Sequence, residues 1–129
     1  MEAVKGFVTD VLGCKCPEEL FARIQLNKEP TPQADIPLLF EIHVGGRLII
    51  FGVSARYLSG SADTLTDLAA AGIRARNEGN YNRFRLVVVS DDARADTQLM
   101  RLFSELPLAD DRVHLHMVRT SDIRGFMDG

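Results

Sequence analysis

Val4, Phe7, Val8, Val11 and Leu12 recur at three- and four-residue spacing, which places them on one stripe of a helix. Gly13 is a natural stop for that helix. Pro17 opens a second one, because its fixed φ and missing N–H suit the first helical position. Glu18 and Glu19 load the first turn with negative charge, and Leu20, Phe21 and Ile24 supply an apolar side. Residues 2–26 therefore read as a helical hairpin. Pro30, Pro32 and Pro37 mark residues 27–37 as an extended connector.

The pattern then changes period. Leu38, Phe40, Ile42 and Val44 alternate with Leu39, Glu41 and His43, and after Gly45-Gly46 the apolar positions Ile49, Phe51 and Val53 follow. Two alternating runs around Gly-Gly predict a β-hairpin with a two-residue turn. In that register Ile42 faces Ile49 and Phe40 faces Phe51. Leu48 and Ile50 make the second strand apolar on both faces, as expected of a strand inside a sheet. Residues 62–78 read as a helix with Leu65, Leu68, Ala69 and Ile73 inward. Residues 85–90, containing Leu86-Val87-Val88-Val89, read as a covered strand. A helix over 92–106 ends before Pro107, residues 112–118 form a last strand, and 119–129 read as a loose tail.

This order predicts one α/β domain spanning 1–129. Its body, 38–118, holds a mostly parallel four-stranded sheet with an N-terminal β-hairpin strand pair and two crossover helices. The helical hairpin stands before it. The content of 46% hydrophobic and 26% charged residues over 129 residues is that of a globular chain with a real core.

A net charge of −3 argues against general nucleic-acid binding, which needs a cationic face. No apolar run is long enough for a membrane span, and residues 1–5 lack the start of a secretory signal. The reading is cytoplasmic, without nucleic-acid or membrane partners. There thiols stay reduced, which argues against a permanent disulfide.

Cys14 and Cys16, the only cysteines, fall at the bend between the two expected helices. Cys16 would occupy the N-cap before Pro17, where backbone N–H groups and the helix dipole favour a thiolate. The pair is open to three chemistries: a redox dithiol, two ligands of a zinc, iron or iron–sulfur centre, or half of a four-thiolate site shared with a second copy. In the redox case Cys16 is the nucleophile and Cys14 the resolving thiol. Thioredoxins place Cys-x-x-Cys after a strand, a different spacing and setting, so their mechanism does not transfer. His114 and His116 share one face of the last strand and would complete a two-thiolate, two-imidazole metal set. Plain alternation, with Val113, Leu115 and Met117 inward and the histidines facing solvent, is the simpler account of them. His43, beside Gly45-Gly46, reads as a surface residue.

Ser90, Asp91 and Asp92 lie at the carboxyl end of a strand, where α/β ligands bind, yet they suit helix capping better. Ser59-Gly60-Ser61 could cradle an anion but lacks a phosphate-loop pattern. Arg74, Arg76, Arg83 and Arg85 form the most basic stretch, readable as a solvated helix end. The best functional expectation is a small thiol protein, redox-active or metal-binding. The alternative is a non-enzymatic interaction or assembly domain, homodimeric or docking a protein through the helical hairpin, with the cysteines as packing residues.

Overall fold

The computed structural model describes residues 2–13, 18–58, 62–106 and 112–127. The chain begins with α1 (Glu2–Gly6), which continues as a π turn over Phe7–Val11. Leu12 N–H closes that turn on the Phe7 carbonyl at 3.1 Å. The widened turn keeps Val4, Phe7, Val8 and Leu12 buried and leaves Val11 exposed. A short 3-10 helix, Glu18–Arg23, leads into β1 (Ile24–Asn27). Then come β2 (Phe40–Val44), β3 (Leu48–Ser54), α2 (Ala62–Glu78), β4 (Arg83–Val89), α3 (Ala93–Ser104), β5 (Val113–Val118) and α4 (Thr120–Met127).

The sheet is mixed and five-stranded, in the order β1-β2-β3-β4-β5. β1, β2 and β3 pair antiparallel, whereas β3, β4 and β5 pair parallel. This corrects the expectation of four mostly parallel strands headed by an N-terminal pair. It also replaces the helical hairpin, since its expected second arm ends at Arg23 and the chain extends as β1. Ile24, which a helix would have used on its apolar stripe, instead sits opposite Val44, and Leu26 opposite Ile42. Four residues of alternation are too few to signal a strand against a helix start upstream.

The β2–β3 register is shifted by one residue from expectation: Ile42 faces Ile50 and Phe40 faces Gly52. Gly45 and Gly46 do take the positive φ values of 58° and 69° that a tight turn requires. Arg47, however, bonds β2 only through its N–H, which donates to the Val44 carbonyl at 3.0 Å. Its carbonyl accepts from Asn82 N–H at 2.8 Å and Arg83 N–H at 3.0 Å at the start of β4. The slip moves every β3 side chain to the opposite face from the one expected. It also sets the Phe40 ring over Gly52, where a Cβ would lie 2.3 Å from ring carbons. β3 is buried on both faces, as its composition implied.

Two cores follow. Phe84, Leu86 and Val88 of β4 face α2 and α3 together with Ile49, Phe51 and Val53 of β3. Val87 and Val89 point the other way, with Phe40, Ile42, Val44 and Ile50, against the N-terminal segment and α4. α4 occupies the region read as a loose tail. Its Ile123 and Phe126 are buried, and Phe126 meets Phe7 and Phe40 edge to face at 5.1 and 5.3 Å. Ile123, Phe126 and Met127, three apolar residues within eight, made only a weak periodic signal.

Candidate functional site

β4 carries one charged residue into the sheet interior. Arg85 lies between Phe84 and Leu86 and is 7% exposed. Its Nη1 donates to the Leu12 carbonyl at 2.6 Å and lies 3.4 Å from His116 Nε2 on β5. Its Nε is buried without a partner, and no carboxylate among the described residues pairs with it. Burial, and then the neighbouring Arg83 charge, lower its pKa from the ordinary value. A buried cation of this kind is costly unless an anion faces it. Burial first, then Arg85 and His114, push His116 down to about 4, so its ring is neutral at neutral pH.

His116 is half-buried on this face and His114 exposed, while Val113 is buried and Leu115 and Met117 half-buried on the other. The alternation is as read from sequence, with one difference: His116 meets Arg85 rather than open solvent. Cys14 and Cys16 lie outside the described residues, and so does Ser59-Gly60-Ser61. The thiolate–imidazole set is therefore not assembled among the described residues, which contain no group of three or more His, Cys, Asp or Glu able to hold a metal. The Leu12 carbonyl nevertheless ties the segment that leads into Cys14 to Arg85 and so to the histidine strand.

At the opposite end of the parallel strands lies a cleft of about 680 Å³ lined by Ser54, Tyr57, Asp91 and Thr120 among others. The carboxylates here act as caps. Asp92 accepts from Arg94 N–H at 2.9 Å. Asp91 accepts from Thr120 N–H at 3.1 Å and its hydroxyl at 2.6 Å, bonds that hold its carboxyl below the usual range. Arg119 donates to the Ser90 carbonyl and pairs with Asp96 at 2.7 Å each, which ties the ends of β4 and β5 together.

A third cluster escaped the sequence reading. His43 is half-buried, with Nδ1 bonded to the Tyr81 hydroxyl and Nε2 2.6 Å from Glu41 Oε2. Burial and the Glu41 charge raise the Tyr81 pKa. Glu41 and His43 could be paired from their i, i+2 spacing on one strand, but nothing local points to Tyr81. The basic stretch is not a uniform solvated helix end either, since Arg76 and Arg85 are buried while Arg74 and Arg83 are exposed.

No family model, curated protein or solved structure matches the chain. Among the described residues no helix is long and apolar enough to cross a membrane.

Proposed function

We propose that this is a small thiol protein whose reactive centre is the Cys14–Cys16 pair, working by thiol–disulfide exchange. The observation that carries the reading is Arg85, a buried guanidinium without a carboxylate partner, bonded to Leu12 at the root of the cysteine segment. Covalent geometry limits the Cα of Cys14 to within about 7.6 Å of that of Leu12. A thiolate would supply the missing counter-charge, and a neighbouring guanidinium lowers a thiol's pKa.

The same cation disfavours a zinc or iron centre built with His116, because it would repel a metal ion held there and lies 3.4 Å from Nε2, one of the two ring nitrogens able to ligate. Redox use is therefore the stronger half of the proposal. Cys16 thiolate attacks a partner's disulfide and releases one partner thiolate. Cys14 then attacks the mixed disulfide and releases the other. The protein's dithiol is oxidised as the partner's disulfide is reduced.

The test is the pH dependence of iodoacetamide alkylation. At least one thiol of the wild type should titrate a unit or more below about 8.5, the value for free cysteine. Cys16→Ser should remove the fast phase, and Arg85→Met should return the profile to the ordinary range, with circular dichroism confirming the fold. Two thiols with ordinary profiles, or a profile indifferent to Arg85→Met, would refute the proposal.

An assembly domain with packing cysteines is the second reading. Among the described residues of the helical arm expected to dock a partner, Val4, Phe7, Val8 and Leu12 are buried against the sheet and Val11 is exposed. What favours assembly is the outer strand β5.

A further inference from the structure

β5 is an outer strand, paired with β4 alone among the described residues. Its bonds toward β4 come from even-numbered positions: Phe84 N–H donates to the Arg112 carbonyl at 3.1 Å and Ser90 N–H to the Val118 carbonyl at 2.9 Å. Backbone groups alternate along a strand, so Val113, Leu115 and Met117 direct their N–H and C=O groups to the open edge. Outer strands are usually blunted by lysine, proline or a bulge. The run Val113-His114-Leu115-His116-Met117-Val118 contains neither residue and pairs with β4 without interruption. β1, the other edge, is only four residues long.

The apolar surface beside the edge is also incompletely covered. Phe84, Leu86 and Val88 of β4 are fully buried, whereas Leu115 and Met117 on the same face, with Leu102 and Phe103 of α3, are only half-buried. Met100 on α3 is 56% exposed.

We propose that the β5 edge is a homodimer interface, at which a second copy of this chain adds its own β5 antiparallel and continues the sheet across a two-fold axis. Unpaired backbone donors and acceptors in a row specify a strand as the occupant. The sequence specifies this strand. Centred on Leu115, the two-fold pairs Leu115 with the partner's Leu115 and Val113 with the partner's Met117, at the positions whose backbone groups face outward. Apolar side chains thus meet apolar ones on the α3 side, and His114 meets the partner's His116 on the other. No formally charged residue lies in the strand, so none opposes its own kind across the axis. The interface involves neither cysteine and stands apart from the thiol proposal.

Sedimentation equilibrium of the full chain in reductant, which removes disulfide-linked species, tests this directly. At about 100 μM an interface of micromolar Kd is mostly occupied, and the mass should be twice that of the chain. The Leu115 and Met117 amides should exchange more slowly as concentration rises. Leu115→Lys, which sets like charges face to face, should halve the mass. His114→Lys, at an exposed position outside both cores, should weaken association at least tenfold. A wild type that stays monomeric, a dimer that survives both substitutions, or amides indifferent to concentration would overturn the proposal.

Discussion

Replacing Gly72 by valine is expected to cost at least about 3 kcal/mol, a large part of the 5–15 kcal/mol that holds a domain of this size together. Gly72 lies in α2 directly over the Phe84 ring. A Cβ there would stand 2.0 Å from Phe84 Cζ and 2.2 and 2.5 Å from the two Cε atoms. The ring has nowhere to go, since Phe84 is fully buried and held edge to face by Phe51 at 5.1 Å. Valine exceeds glycine in helix propensity by only a few tenths of a kcal/mol, too little to offset the clash.

Phe84→Ala alone should cost about 3–5 kcal/mol through the cavity it leaves. The double variant should cost clearly less than the sum, because the valine then occupies space the ring has vacated. Urea unfolding of the two single variants and the double closes the cycle. Additivity to within about 0.5 kcal/mol would mean that α2 does not close on β4 at this point.

Acid should destabilise the protein through one imidazole. His116 takes its proton at about 4 in the fold, against 6.5 in the free side chain, because burial, then Arg85, then His114 oppose the charged form. Above pH 6.5 the ring is neutral in both states and the penalty is absent. As pH falls through 6.5 the unfolded chain binds a proton that the folded one refuses, so stability drops until about pH 4, where the folded ring is protonated too. At about 1.4 kcal/mol per pH unit, the loss over that window should be about 2–3 kcal/mol. Unfolding free energies at neutral and mildly acid pH should show this slope in the wild type and a flatter one in His116→Gln. Arg85→Met should flatten it in part, by removing the second cause. Equal slopes in the wild type and His116→Gln would rule out His116 as the origin of the acid sensitivity.

Much of the body was legible along the chain. α2 begins and ends where its apolar stripe and Gly79 place it, α3 starts behind Asp92, and the covered character of β3 and β4 follows from their unbroken apolar runs. The errors fall where the local signal was short or ambiguous. Ile24 fits a helix stripe as well as a strand, and Ile123 with Phe126 makes too brief a period to announce α4. Among the site residues, Cys14, Cys16 and the His114–His116 spacing were visible as chemistry. Arg85 was visible only as part of a basic stretch, because burial is a property of the assembled sheet.

By itself the sequence determined the periodicities of the longer elements, hence that α2 and α3 are helices, that β2 to β5 are strands and that β3 and β4 must be covered on both faces, since these follow from side-chain spacing along a single element. Tertiary structure alone decided the one-residue slip at Arg47, whose carbonyl answers β4 rather than β2. It also decided the fifth strand, the joining of Glu41, His43 and Tyr81, and the burial of Arg85 against Leu12 and His116. Each of these depends on groups far apart in the chain sharing hydrogen bonds or excluding water together. No local window contains that information.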